Sequence, residues 1–102
     1  REEPVLLESD QEVLKRNRYI ESNHEGPVIG VMGRRESNEF ILTDTNASRL
    51  HAYISYERHR HVLHDAESLN GTWVRDKKIA DYCLCSGDEF RIGSTVLLYE
   101  VI

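Results

Sequence analysis

The pattern of short apolar runs in this chain points to an all-β fold, a sandwich or a barrel. Runs recur at residues 28–32, 40–42, 51–56, 61–63, 72–74, 90–92 and 96–101, at intervals of about ten residues. Turn formers separate them: Ser37-Asn38, Asn70-Gly71, Ser86-Gly87-Asp88 and Gly93-Ser94. Strands spaced in this way suit two packed or closed sheets, where alternating strand and helix would suit a parallel α/β fold. The last run, residues 96–102, reads as a buried closing strand, so the domain is expected to run to the end of the chain.

Residues 1–24 form a lead-in of first strand(s) or an extension, and residues 25–102 the core of one domain. Ser9-Asp10-Gln11-Glu12 has the spacing of a helix capping box ahead of Val13 and Leu14. The stretch 14–20 shows no sustained helical stripe, and a strand around residues 18–20 fits equally, so this segment stays undecided. A chain of 102 residues buries enough surface to fold without metals or disulfides. No apolar run reaches the roughly 20 residues of a membrane-spanning helix. Arg1-Glu2-Glu3-Pro4 lacks the apolar segment of a signal peptide, and Met32 is the only methionine, so a processed piece or an excised domain is expected. A net charge of −5 argues against general nucleic-acid or anionic-membrane binding, while leaving room for a local arginine cluster. Cys83 and Cys85, two positions apart, would strain a mutual disulfide. Reduced thiols in an intracellular compartment, cytoplasmic or nuclear, are the expectation.

Three polar sites stand at run ends, where loops of a rigid scaffold carry function. They are Gly33-Arg34, Ser48-Arg49-Leu50-His51 and Ser68-Leu69-Asn70-Gly71-Thr72. In this order, with Asp65 three residues before Ser68 and Gly87-Asp88 followed by Ile92-Gly93, they resemble the forkhead-associated (FHA) domain over residues 28–98. The resemblance implies an FHA-like β-sandwich of two mostly antiparallel sheets with about eleven strands and recognition loops at one end. It also implies a phosphothreonine-dependent protein–protein interaction module within a larger signalling protein. Arg34, Ser48 and Arg49 would face the phosphate, and Asn70 would hold the peptide main chain. His51 would tie the second loop to the third, and Gly33, Gly71 and Thr72 would shape the loops. Leu69 departs from a polar residue common in the family, so the phosphate contact rests on Arg34, Ser48 and Arg49.

The residue types suit that chemistry in their own right. A phosphothreonine carries about −1.5 to −2 charges and three strong acceptor oxygens. Planar guanidinium groups match those oxygens, and charge-assisted bonds are about twice as strong as neutral ones. A serine hydroxyl and backbone N–H groups complete such a cradle. An asparagine amide offers the donor and acceptor that an extended backbone presents in return. Asn70-Gly71 also suits a turn needing positive φ, which is the plainer reading of that pair.

Other groupings carry less. Arg35, Arg58 and Arg60 suit a basic rim, but solvated surface charge is their ordinary role. His59, His61 and His64 crowd together; in a strand His59 and His61 would share a face and His64 the other, which argues against a metal. Trp73 suits packing more than a recognition platform. Ser48, His51 and Asp65 have the residue types of a hydrolase triad, yet Ser48 lies outside a Gly-x-Ser-x-Gly elbow. The resemblance implies no catalysis, no cofactor and no metal. The implied partner is a phosphothreonine-containing protein or intramolecular segment, with a Ser/Thr kinase upstream. The alternative is an FHA-like structural or oligomerisation module that binds partners independently of phosphate.

Overall fold

The structure, a computed structural model, describes residues 25–101. Among these residues nine strands form and no helix. In chain order they are β1 (Val28–Gly33), β2 (Phe40–Ile41), β3 (Ala52–Glu57), β4 (Arg60–Asp65), β5 (Thr72–Val74), β6 (Lys77–Ile79), β7 (Asp81–Cys83), β8 (Glu89–Ile92) and β9 (Thr95–Leu98). A five-stranded sheet has the order β2-β1-β3-β4-β7, and a four-stranded sheet the order β6-β5-β8-β9. Only β1 and β2 pair in parallel; every other neighbour is antiparallel. The fold is thus an all-β sandwich of two mostly antiparallel sheets.

Alternation along the strands builds the core. On β3, Ala52 and Ile54 point between the sheets and join Met32, Leu63, Val74, Phe90 and Ile92 in one buried cluster. Tyr53, on the opposite face of the same strand, belongs to a separate cluster with Leu50 and Ala66, flanked by Val28 and Val31. The five-stranded sheet therefore has apolar character on both faces, which accounts for the near-continuous apolar run at 28–32. Its central hairpin is held in register from Ala52↔Asp65 to Glu57↔Arg60.

Several expectations need correction. The described residues form nine strands where eleven were implied, and the lead-in of residues 1–24, assigned first strand(s) or an extension, lies outside the described residues. β6 and β7 were not among the apolar runs. Lys77, Lys78, Asp81 and Cys83 are exposed on short outer strands, so neither strand carries a buried stripe. Among the described residues the closing strand stands at the edge of its sheet and is not buried: Val96 is 59% and Leu98 54% exposed, with Leu97 and Tyr99 packed against the core. His59 is not in a strand but in a turn.

That turn is informative. Arg58 and His59 connect β3 to β4 with φ of 53° and 66°, and Arg75 and Asp76 connect β5 to β6 with φ of 50° and 64°. Both are two-residue hairpin loops with positive φ at both positions, the type I′ geometry that Asn-Gly adopts without strain. Left-handed backbone costs an ordinary L-residue about 1–2 kcal/mol. Replacing Arg58-His59 by Asn-Gly (R58N with H59G) should therefore raise stability by about 1 kcal/mol. Urea unfolding should show a higher midpoint with an unchanged slope.

Candidate functional site

Gly33 ends β1 in a conformation only glycine adopts freely, φ +154°, and a Cβ there would lie 2.2 Å from the Arg49 carbonyl oxygen. This close approach brings the start of the β1–β2 loop against the β2–β3 loop. Two backbone bonds fasten them: Arg34 N–H donates to the Ser48 carbonyl at 3.1 Å and Arg35 N–H to the Arg49 carbonyl at 3.2 Å. Arg34 then uses its Nε–H on the Ala47 carbonyl. That bond anchors the guanidinium while its two terminal nitrogens have no partner among the described residues. Asn38, buried beneath, donates its side-chain amide to the Arg49 carbonyl at 2.8 Å.

The second and third loops meet through one histidine. His51 is fully buried, and its Nδ1 accepts from the Ser48 N–H at 2.9 Å while its Nε2 lies 2.9 Å from the Gly71 carbonyl. The carbonyl can only accept, so Nε2 carries the proton and the ring is the neutral Nε2–H tautomer. Ser48 Oγ accepts from the Leu69 N–H at 3.0 Å, which leaves its own hydroxyl proton to donate. Asn70 is exposed; its amide donates to the Asn46 carbonyl at 2.8 Å, and its own carbonyl accepts from Trp73 Nε1 at 3.0 Å. Positive φ falls on Gly71, at +85°, and not on Asn70. Asp65 braces the third loop by accepting from the Ser68 N–H and hydroxyl and from the buried Thr72 hydroxyl at 2.7 Å. Arg34, Ser48, His51, Asn70, Gly71 and Thr72 are therefore linked through adjoining loops, with Leu69 83% exposed between them.

Charge is concentrated there. Among the described residues Arg34, Arg35 and Arg49 form no ion pair with a carboxylate. The Arg49 Nε is buried with no hydrogen-bond partner among those residues. Arg58, in contrast, is tied to Glu25 and sits in the β3–β4 turn, and Arg60 donates to the Cys83 sulfur. Neither belongs to the loop cluster.

Sequence reading missed the residue that organises the fourth loop. Asp44 accepts from the Asn46 N–H at 2.8 Å, from the Ser94 N–H at 2.5 Å and from the Thr95 hydroxyl at 2.9 Å. The Asn46 N–H, the Thr95 hydroxyl and the Ser94 N–H together hold its carboxyl below the usual carboxylate range. This joins the β8–β9 turn to the same assembly. Asp44-Thr45-Asn46 does carry the local signature of an Asx turn, which was the available signal.

The triad types do not assemble. His51 meets the Ser48 backbone, not its hydroxyl, and Asp65 bonds to Ser68 and Thr72. A different serine, Ser55, has its hydroxyl 2.8 Å from His64 Nε2, and His64 Nδ1 lies 2.5 Å from Asp81. Glu57 also engages that hydroxyl and that Nε2, and Tyr53 stacks on the ring at 4.6 Å. Ser55 is fully buried, so no substrate reaches its oxygen. Among the described residues no group of three or more His, Cys, Asp or Glu side chains could hold a metal ion. No helix among them is long and apolar enough to cross a membrane.

With four loops joined at one place, likeness to known proteins becomes interpretable. The family model for the FHA domain matches residues 30–93, from the middle of β1 to the β8–β9 turn. The chain belongs to the FHA domain family. FhaA, an FHA domain-containing protein of Mycobacterium tuberculosis, is 32% identical over 71 residues, which is 70% of this chain and 14% of FhaA. A solved structure described as a structural and functional analysis of phosphothreonine-dependent FHA domain interactions superposes with a TM-score of 0.70 at 28% identity, covering 78% of this chain and 81% of that one. The FHA domain of FhaA in complex with the intracellular domain of Rv3910 superposes with a TM-score of 0.66 at 29% identity, covering 74% and 82%. The chain thus spans a small part of FhaA and most of each isolated FHA domain. All eight residues singled out, Gly33, Arg34, Ser48, Arg49, His51, Asn70, Gly71 and Thr72, fall inside the span matched to the FHA family.

Removing the His51 ring tests the wiring of this FHA domain. His51→Ala leaves the Ser48 N–H and the Gly71 carbonyl unpaired, each worth about 1–3 kcal/mol when buried. Denaturant unfolding should show that loss, and amide exchange at Ser48 should quicken while the β3–β4 amides stay protected.

Proposed function

We propose that this FHA domain is a non-catalytic module that docks a phosphothreonine-bearing protein segment, on a partner or on its own parent protein. The observation that carries the reading is Ser48. Its carbonyl accepts from the Arg34 N–H, its N–H donates to His51 and its hydroxyl accepts from the Leu69 N–H, so the first, second and third loops meet at this one residue. In this proposal Arg34 and Arg49 pair with the phosphate and Ser48 donates its hydroxyl. Asn70 reads the adjacent main chain, and Gly33, His51, Gly71 and Thr72 hold the loops. Arg49 pairs with no carboxylate among the described residues, which supports an anionic ligand, because a cationic group without a partner gains most from one. Phosphothreonine-dependent FHA interactions described for a structural relative support it further.

The proposed unit comprises residues 25–102, following the lead-in of residues 1–24, and acts within a larger protein. A Ser/Thr kinase would create its ligand. A net charge of −5 supports a protein partner in preference to nucleic acid or an anionic membrane. Exposed free thiols at Cys83 and Cys85 suit a reducing, intracellular setting. Phosphate-independent assembly is the competing reading, favoured by Phe40 and Ile41, 49% and 53% exposed on the edge strand β2. Loss of a partner on phosphatase treatment separates the two readings.

Isothermal titration should find binding to a phosphothreonine peptide and none to its unmodified counterpart. Phosphoserine should bind about 1 kcal/mol more weakly for want of the γ-methyl. Arg34→Ala should cost about 1.5–3 kcal/mol of binding with the circular dichroism spectrum intact. Equal affinity for threonine and phosphothreonine peptides would overturn the proposal.

Affinity should also fall as pH drops through about 6, where the phosphate takes up its second proton and loses charge. The Asp44 clamp works against no such change. Its carboxyl is held below the usual range, so it stays ionised until far more acidic pH and its contribution is lost only there. A titration flat from pH 5 to 8 would contradict dianion recognition.

A further inference from the structure

The first loop carries a serine that docking leaves unused. Arg34-Arg35-Glu36-Ser37 places two cations two and three residues before a hydroxyl. Ser37 is exposed, in a turn closed by the Asn38 N–H donating to the Arg35 carbonyl at 3.1 Å. Among the described residues its hydroxyl has no hydrogen-bond partner, so a substituent on that oxygen breaks no bond of the fold. The base of the loop is held: Asn38 is buried and bonded to the Arg49 carbonyl, and Glu39 accepts from the Val31 N–H at 2.8 Å. Glu36 and Ser37 form its exposed tip. We propose that Ser37 is a phosphorylation site for an arginine-directed protein kinase, and that phosphate on it closes the docking site. The inference rests on the docking function proposed above.

The same two arginines serve both steps. Among the described residues neither Arg34 nor Arg35 pairs with a carboxylate, the intervening Glu36 included. Both charges are therefore open to the acidic cleft of such a kinase, and kinases select substrates by charge patterns of this kind. In the transfer the Ser37 oxygen attacks the γ-phosphorus of ATP. The new O–P bond replaces the bond to the departing ADP oxygen, and the hydroxyl proton passes to the base of the kinase. The product adds about −1.5 to −2 charges at Ser37. Even fully extended, the three residues back to Arg34 span only about 11 Å, comparable to the roughly 8 Å Debye length at physiological salt. The added phosphate repels an incoming phosphothreonine and competes with it for the Arg34 guanidinium, which Ala47 holds only through Nε. A phosphopeptide already bound, in turn, occupies Arg34 and lowers its attraction for the kinase.

The test treats the domain with ATP and a purified kinase that requires arginine two and three residues before its serine. Mass spectrometry should place phosphate on Ser37. Its addition should slow in Arg35→Gln, and also when a saturating phosphothreonine peptide that lacks serine is present. Isothermal titration of the modified domain should then show affinity for that peptide about tenfold lower. Its thermal unfolding midpoint should stay nearly unchanged. Ser37→Ala, carried through the same treatment, should bind as the untreated domain does. Failure of Ser37 to accept phosphate overturns the proposal, as does an Arg35→Gln rate equal to the original. Undiminished affinity after phosphorylation overturns it while leaving the docking function intact. Loss of affinity in the treated Ser37→Ala variant assigns the effect to another residue and overturns it too. An untreated domain that binds no phosphothreonine peptide defeats the docking function and this inference with it.

Discussion

Everything proposed for this domain depends on the buried ring of His51. Its two nitrogens are engaged at 2.9 Å on different loops, one accepting from Ser48 and one donating to Gly71. Neither bond can be supplied by water, because the ring is fully buried. The neutral tautomer is therefore imposed by its neighbours, and the separation between the second and third loops is set by the width of an imidazole. The close approach at Gly33 fixes the first loop to the second through backbone bonds, to which the Arg34 and Asn38 side chains add one each. Asp44 brings in the fourth. Most of these restraints use backbone groups, and so the half-buried Arg34 and Arg49 guanidinium groups keep their charge free of carboxylate partners among the described residues.

How far the sequence spoke depended on which residue carried the information. Runs such as 51–56 and 90–92 were legible because apolar content coincides with burial over most of β3, and alternation with burial on β8. β6 and β7 were silent: short outer strands rich in lysine and aspartate look like loop. The two hairpin turns were silent for a different reason. Arg58-His59 and Arg75-Asp76 adopt left-handed backbone without glycine or asparagine, so tertiary pairing of the strands overrides local preference. The tail misled because apolar content was taken for burial, whereas Val96 and Leu98 face outward on an edge strand.

The site was legible through motif order more than through any single residue. Asn70-Gly71 alone would have served as a turn, and its glycine does supply the positive φ. What the motif could not reveal is who holds whom. Asn38, Asp44 and Asn46 organise the loops through backbone carbonyls and amides, contacts that leave no distinctive residue pattern at a distance.

The loop wiring has a thermodynamic corollary. Fixing a backbone residue in one conformation costs about 1–2 kcal/mol of entropy, and a segment that orders on binding bears that loss at the moment of association. Here Asp44, His51 and Asp65 already restrain the recognition loops with bonds internal to the chain, so the loss is incurred as the domain folds. What remains to be ordered at encounter is the visiting peptide, together with the tips of a few side chains. The enthalpy of its capture would then report the chemistry of the incoming group with little contribution from rearrangement of the host.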